Sequence, residues 1–362
     1  MSKLDTLLQI WNSKQPFPKQ LQSRLDRKFT LEFNYNSNHI EGNQLTYGQT
    51  EILLLFGKVV SEANIRDLEE MKSHDVALKL MISEAKESDK PLTEVFIRQL
   101  HQIMFREDYE EYRTLPDGST YSYTVHVGRY KTRHNSVRTK TGELFEYASP
   151  EETPGLMYDL VKWYNEEAEK RVLSPIELAA LFHCRYIRIH PFEDGNGRVS
   201  RLLMNFILLR HNYPMIVVRH KDKDRYLGAL GKADANVDPR PSFGAQASIS
   251  QITPFLDYIN KTMEQEIEDN LSFIDEAAEN VWWFNGEFIK FRSENTRKIL
   301  NLLTEHPGIT VRELVDEVGI NKSAIQKQLQ NLQKHEYIIR TKGRRGSWHV
   351  AIVCTTNKGG TK

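Results

Sequence analysis

The run from Val199 to Arg210 constrains this chain more than any other stretch. Val199, Leu202, Leu203, Met204, Phe206, Ile207, Leu208 and Leu209 leave a helix there apolar on most sides. Such a helix is buried; it is not an amphipathic surface element. Helical spacing dominates elsewhere too. The first 90 or so residues have few glycines and repeated apolar pairs, as in Ile52 to Phe56 and Val76 to Met81. Pro91-Leu92-Thr93-Glu94 breaks that pattern and begins a helix through Met104. Further helices are predicted over 153–168 and 174–188. Only residues 119–147 change character. Tyr121 to Val127 favours strand, and Asn135 to Tyr147, with Thr141-Gly142 near its middle, reads as a hairpin.

A chain of 362 residues, 39% hydrophobic and 27% charged, has the make-up of a soluble protein of two or three domains. No apolar run nears membrane-spanning length, so no membrane partner is expected. The N-terminus lacks a signal pattern, and the two cysteines, Cys184 and Cys354, are far apart. Both features favour a reducing, cytoplasmic setting. The formal net charge is zero, so partners must be read from local charge.

From residue 290 onward there are 14 Lys/Arg against 6 Asp/Glu. Helices predicted over 294–303, 310–318 and 322–335, with a turn at Gly319-Ile320-Asn321, are followed by strands over 337–341 and 348–353. That order suggests a winged helix-turn-helix. Lys322 and Lys327 would sit on the outer side of the recognition helix with Asn321, Ser323, Gln326 and Gln330. Arg340, Lys342, Arg344 and Arg345 would cluster on the wing. These residue types contact phosphates and base edges. DNA is therefore one expected partner. Winged helices that bind proteins or form a homodimer fit the same pattern.

The loop between the helix ending near Ile189 and the buried one after it carries the chemistry. Gly195-Asn196-Gly197 can adopt backbone angles closed to other residues. At a helix N-terminus such a turn can aim N–H groups at an anion. Arg198 and Arg201, at i and i+3, share a side and can fork around phosphate oxygens. Asp194 is a hard oxygen ligand suited to Mg²⁺ alongside substrate phosphates. His190, with an ordinary pKa near 6.5, can accept a hydroxyl proton at neutral pH. Each feature alone has a plain structural explanation. Together they are the parts of a phosphoryl-type transfer site.

His190-Pro191-Phe192-Glu193-Asp194-Gly195-Asn196-Gly197-Arg198-Val199-Ser200-Arg201 resembles the signature of the Fic family at every specified position. The flanking helices, from Pro175 and through Pro214, resemble that family as well, so the likeness covers roughly residues 92–265. It implies a mainly α fold: a Fic-type helical bundle with a β-hairpin flap, here followed by the winged helix. It implies a protein adenylyltransferase that moves AMP from ATP to a Tyr, Thr or Ser hydroxyl of a target protein or of the chain itself. By the same resemblance His190 is the base and Asp194 holds Mg²⁺. Gly195, Asn196 and Gly197 cradle the phosphates, Arg198 and Arg201 bind the outer phosphates, and Tyr226 packs near the adenine. Phe192 reads as a core anchor, and His183 as a buried histidine bonded to the motif backbone. The flap, with Asn135, Ser136, Val137 and Arg138, would hold a target by strand addition.

Ser37 and Glu41 stand at i and i+4, and Gly42 suits a helix end. A short capped helix explains them alone. Beside the loop, Ser37 to Gly42 resembles the family's inhibitory pattern, in which Glu41 pairs with Arg201 and blocks the γ-phosphate contact. Two other functions fit the same residues: an AMP-removing enzyme of this fold, and a DNA-binding regulator whose Fic portion senses nucleotide. The expected domains are 1–91 with the inhibitory helix, 92–285 with the catalytic loop, and 286–362 with the winged helix.

Overall fold

The computed structural model describes residues 2–59, 62–87, 89–114, 118–138, 144–274, 281–341 and 346–354. Helices α1 (Lys3–Ser13), α2 (Lys19–Ile40), α3 (Tyr47–Phe56), α4 (Ile65–Ala85) and α5 (Glu94–Phe105) lead into strands β1 (Tyr109–Thr114), β2 (Thr120–Val125), β3 (Val137–Arg138) and β4 (Leu144–Phe145). Helices α6 (Thr153–Lys170), α7 (Pro175–Ile189), α8 (Asn196–Arg210), α9 (Lys223–Asp234), α10 (Pro241–Gly244) and α11 (Thr253–Ile274) follow. The chain continues through β5 (Val281–Phe284), β6 (Glu287–Lys290), α12 (Glu294–Glu305), α13 (Val311–Val318), α14 (Lys322–Lys334), β7 (Ile338–Arg340), β8 (Trp348–Val350) and β9 (Val353–Cys354). The fold is mainly α, as expected. Among the described residues no helix is long and apolar enough to cross a membrane.

Two compact units emerge. The larger is made of residues up to Leu8, Asn36–Gly42 and Ser73–Glu266. Helix α8 is its centre: Val199, Leu202, Leu203, Met204, Ile207 and Leu208 are all 0% exposed. Burying each such side chain contributes about 1.5–3 kcal/mol, which explains why the polar cost of a loop at its start is tolerated. Its neighbour α7 starts at a capping box, Ser174 with Glu177, and has proline in its first turn. β3 and β4 pair antiparallel through Val137↔Phe145 and Arg138↔Leu144, so the expected hairpin forms. Thr141-Gly142, its expected centre, lies outside the described residues. β2 was expected, but its partner β1 was not. They pair from Tyr109↔Val125 to Thr114↔Thr120.

The second unit comprises Gln9–Tyr35, Asn43–Lys72 and the chain from Ile267. Its core joins Trp282 to Ile299, Leu303, Leu314, Ile325, Leu329 and Trp348 from the three winged-helix helices and the strands beside them. Glu32, 1% exposed, accepts hydrogen bonds from Tyr47 Oη (2.6 Å), Trp283 Nε1 (2.9 Å) and the Gly286 N–H (3.1 Å). Three donors offset the cost of burying that carboxylate. The expected boundaries therefore differ from the compact units. The first 91 residues are shared between both, with α2 changing unit after Tyr35. The expected boundary at 285/286 falls inside the β5–β6 hairpin, and β5 also pairs with β9 through Trp282↔Cys354 and Trp283↔Val353. The apolar strand at 281–284 finds its partners after the boundary, which no local pattern announces.

Candidate active site

The loop begins where α7 stops. His190 takes a left-handed conformation (φ 51°, ψ 61°), and its N–H donates to the Tyr186 carbonyl at 2.9 Å. Few non-glycine residues sit there, and neighbours must hold them. Tyr147 stacks on the His190 ring at 3.8 Å between centroids. Asn135 Nδ2 donates to the carbonyls of His190 (3.2 Å) and Phe192 (2.8 Å). Lys131 Nζ donates to the Ile189 carbonyl at 3.0 Å and to Asn135 Oδ1 at 2.9 Å. Asn135, expected among the target-binding residues of the flap, spends its amide on the loop. Ser136 follows it, and Val137 and Arg138 form β3.

Phe192 is 0% exposed and anchors the turn. Asn196 closes it from the other end, accepting the Phe192 N–H at 2.9 Å and donating to the Phe192 carbonyl at 2.7 Å. Gly195 has φ +75°, and a Cβ there would collide with the Phe105 ring. α8 then starts at Asn196, and its first turn presents N–H groups that helix geometry leaves free for an anion.

Asp194 Oδ2 accepts from Tyr109 Oη at 2.7 Å and lies 3.9 Å from Arg198 Nη2. Burial pushes the Asp194 carboxyl up, but Arg198, the Tyr109 hydroxyl and the Gly195 N–H outweigh it and hold it below its ordinary value. Burial, then the Lys131 charge, lowers the His190 pKa to about 3, against the pull of the Ile187 carbonyl and Asp194. The imidazole is therefore neutral at pH 7, the form that a general base needs, while its burial also weakens it as a base. Arg198 is buried, with its guanidinium 4.8 Å from the Phe105 ring.

Arg201 does not share an open fork with Arg198. It is 2% exposed and donates from Nη2 to Glu41 Oε1 at 2.7 Å and to the Ser37 carbonyl at 2.9 Å, and from Nε to Ser37 Oγ at 3.0 Å. Gly42 follows with φ +102°, ending the helical path that brings Glu41 there. The segment is pinned further: Asn36 Oδ1 accepts the His220 N–H at 3.0 Å, and Lys223 Nζ donates to the Ile40 carbonyl at 2.6 Å. A Cβ on Gly197 would meet Glu41 Oε1, so a side chain here would push the tip of the Glu41 carboxylate aside.

Tyr226 is 2% exposed. Its hydroxyl meets His183 Nε2 at 2.8 Å and bonds the Arg201 guanidinium, so it works beneath Arg201 within the core. His183 faces the Ser200 carbonyl at 3.4 Å with its other nitrogen. Beside Tyr147 opens a cavity of about 170 Å³, lined largely by apolar groups that include Cys184, Ile187, Leu227 and Leu230. Asp234 stands on its wall, held by Arg188 Nη1 at 2.7 Å. Leu227, Leu230, Gly231 and Asp234 were missed from the sequence, although their i, i+3, i+4, i+7 spacing on α9 was the available signal.

In the winged helix, Lys322 and Lys327 are exposed on α14, and Arg340 is exposed on β7 with its guanidinium 5.1 Å from the Trp348 ring. Lys342, Arg344 and Arg345 lie outside the described residues.

Comparison with known proteins agrees with this architecture. Residues 91–208 match the Fic/DOC family model and residues 292–339 a winged helix-turn-helix DNA-binding model. A Fic domain containing signaling protein from Bacteroides thetaiotaomicron is 48% identical, covers 75% of this chain and 96% of its own, and superposes with a TM-score of 0.70. A Fic family protein from Desulfovibrio desulfuricans shares the fold over 100% of this chain and 98% of its own, at 20% identity and a TM-score of 0.56. The protein adenylyltransferase fic-1 of Caenorhabditis briggsae is 26% identical over 78% of this chain and 49% of its own length. The chain spans about half the length of the curated relatives it matches. This chain belongs to the Fic/DOC family and carries a C-terminal winged helix.

Proposed function

We propose that this chain transfers AMP from ATP to a Tyr, Thr or Ser hydroxyl of a target protein or of a second copy of itself, and that Glu41 keeps it in check. The observation that carries this is the 2.7 Å pair between Glu41 and Arg201, made in the second turn of the helix that follows the His190 loop and offers a phosphate-type start. His190 accepts the target's hydroxyl proton as that oxygen attacks the α-phosphorus, and the bond to the pyrophosphate oxygen breaks. The free N–H groups at the start of α8 cradle the phosphates. Arg198 and, once released, Arg201 meet the outer phosphates as bidentate donors. The cavity beside Tyr147 suits the flat, apolar faces of adenine, with Asp234 as its polar group.

Asp194 fits Mg²⁺. It is a carboxylate held ionised, with lone pairs beyond those its two partners use. Among the described residues no group of three or more His, Cys, Asp or Glu could hold a metal, so a cation here would depend on the nucleotide's phosphates. When bound, Mg²⁺ would neutralise phosphate charge. The β3–β4 hairpin is the candidate target-binding strand. We further propose that residues 286–362 form a DNA-binding module through Lys322, Lys327, Arg340 and the wing, and that the protein works in the cytoplasm.

Full-length Glu41→Gly protein incubated with Mg²⁺ and ATP labelled at either the α- or the γ-phosphate tests the reaction. The proposal expects protein label from α only, lost in Glu41→Gly/His190→Ala. Label from γ, or α-label that survives loss of His190, would contradict it.

A further inference from the structure

His101, Phe105 and Tyr109 follow one another at i, i+4 and i+8 from α5 into β1. None belongs to the 190–201 loop, yet all three close on Asp194 and its neighbours. Gly128 donates its N–H to His101 Nδ1 at 2.9 Å, so the imidazole proton is on Nε2, which donates to the Asp194 carbonyl at 3.1 Å. The His101 ring stacks on Phe192, centroids 3.9 Å apart and 13° from parallel. Phe105 packs on His101 at 4.9 Å and on Tyr109 at 5.7 Å. It also carries the Arg198 guanidinium at 4.8 Å and fills the space that a side chain at 195 would need. Tyr109 Oη donates to Asp194 Oδ2 at 2.7 Å, and Asp194 Oδ1 takes its own neighbour's N–H, Gly195, at 2.6 Å.

Every oxygen of Asp194 therefore has a fixed donor, two of them supplied by one row of rings. We infer that His101, Phe105 and Tyr109 are positioning residues that set the Asp194 carboxylate for cation binding. The inference rests on the proposed function, since it takes Asp194 as the Mg²⁺ ligand. The physical logic is that a carboxylate loses rotamer freedom when it binds a cation, and donors that freeze it beforehand remove that cost. Each carboxylate oxygen has two lone pairs, so the Tyr109 hydrogen bond and a cation can share Oδ2.

The test uses full-length Glu41→Gly/His190→Ala protein, in which no transfer occurs, with ATP bound and Mn²⁺ as a paramagnetic probe. Mn²⁺ affinity is followed by electron paramagnetic resonance and metal-free ATP affinity by calorimetry. Adding Tyr109→Phe, which keeps the ring stack, should weaken Mn²⁺ binding by roughly 10-fold while metal-free ATP affinity changes by less than about 2-fold. Tyr112→Phe, on an exposed residue of the same hairpin, should change neither. Unchanged or tighter Mn²⁺ binding in Tyr109→Phe overturns the inference, as does an equal loss of ATP and Mn²⁺ affinity, which would mark a merely structural role. Absence of Mn²⁺ binding in the parent protein is a different result, and it overturns the metal role of Asp194 itself.

Discussion

Arg201 is almost wholly buried, and its guanidinium pairs with a carboxylate, Glu41, that remains 36% exposed at 2.7 Å. A buried cation needs a partner, and here the partner comes from a segment 160 residues earlier in the chain. A phosphate oxygen would satisfy the same donors. On the proposed function, Glu41 and a nucleotide phosphate are alternatives at one guanidinium.

Gly197 is the point where α8 and Glu41 touch. Gly197→Ala should destabilise the protein by no more than about 1 kcal/mol, because its Cβ must displace the Glu41 carboxylate while alanine favours the helix. In a Glu41→Gly background most of that loss should disappear. Chemical denaturation of the four proteins in this cycle measures the coupling, and additive losses would show that the alanine acts elsewhere.

Asn196 ties both ends of the turn through the Phe192 backbone. Asn196→Ala leaves the Phe192 N–H buried without its acceptor, at a cost of about 1–3 kcal/mol. The Phe192 carbonyl still has Asn135. Thermal unfolding should report the loss, and Asn135→Ala should add to it. A melting temperature unchanged in Asn196→Ala would remove the turn's closing bond from this account.

The loop and the helices were legible because both are local. The loop is a contiguous signature, and α5, α7, α8 and the winged-helix helices obey a 3.6-residue period with caps such as Thr93, Ser174 and Thr310. Glu41 was legible only through the likeness of Ser37 to Gly42 to the family's inhibitory pattern, since its spacing from Ser37 alone suggests no more than a capped helix. The rest depended on distant chain. β1, Tyr-Glu-Glu-Tyr-Arg-Thr, has no apolar alternation because its hairpin is largely solvent-facing. β9 finds β5 across the whole winged helix, and Asn135 looked like a flap residue because nothing nearby in sequence shows the carbonyls it braces. Tyr226 lined up with a nucleotide position but lies under Arg201.

His74 and His183, both in the larger unit, are 0% exposed, as is His101. Burial first, then the charges of Arg198 and Arg201 at His74 and of Arg201 at His183, lower both pKa values, that of His183 to about 3. The unfolded chain binds protons at these sites below about pH 6.5 while the folded chain does not, so stability falls as pH drops through that value. For His183 that loss is on the order of 1 kcal/mol between pH 7.5 and 5.5, and His74 acts in the same direction. His183→Gln should therefore shrink the pH-dependent loss by about that amount in denaturation curves at the two pH values. An identical pH dependence in wild type and variant would mean His183 titrates normally when folded.

Competition for Arg201 is tested most directly by α-phosphate label transfer in wild type, Glu41→Gly, Arg201→Ala and the double variant, all folded and compared at equal protein and ATP. The account predicts that Glu41→Gly labels at least about 10-fold faster than wild type, and that the gain collapses when Arg201 is absent. Label in Glu41→Gly no higher than in wild type, or a gain of equal size without Arg201, would contradict it.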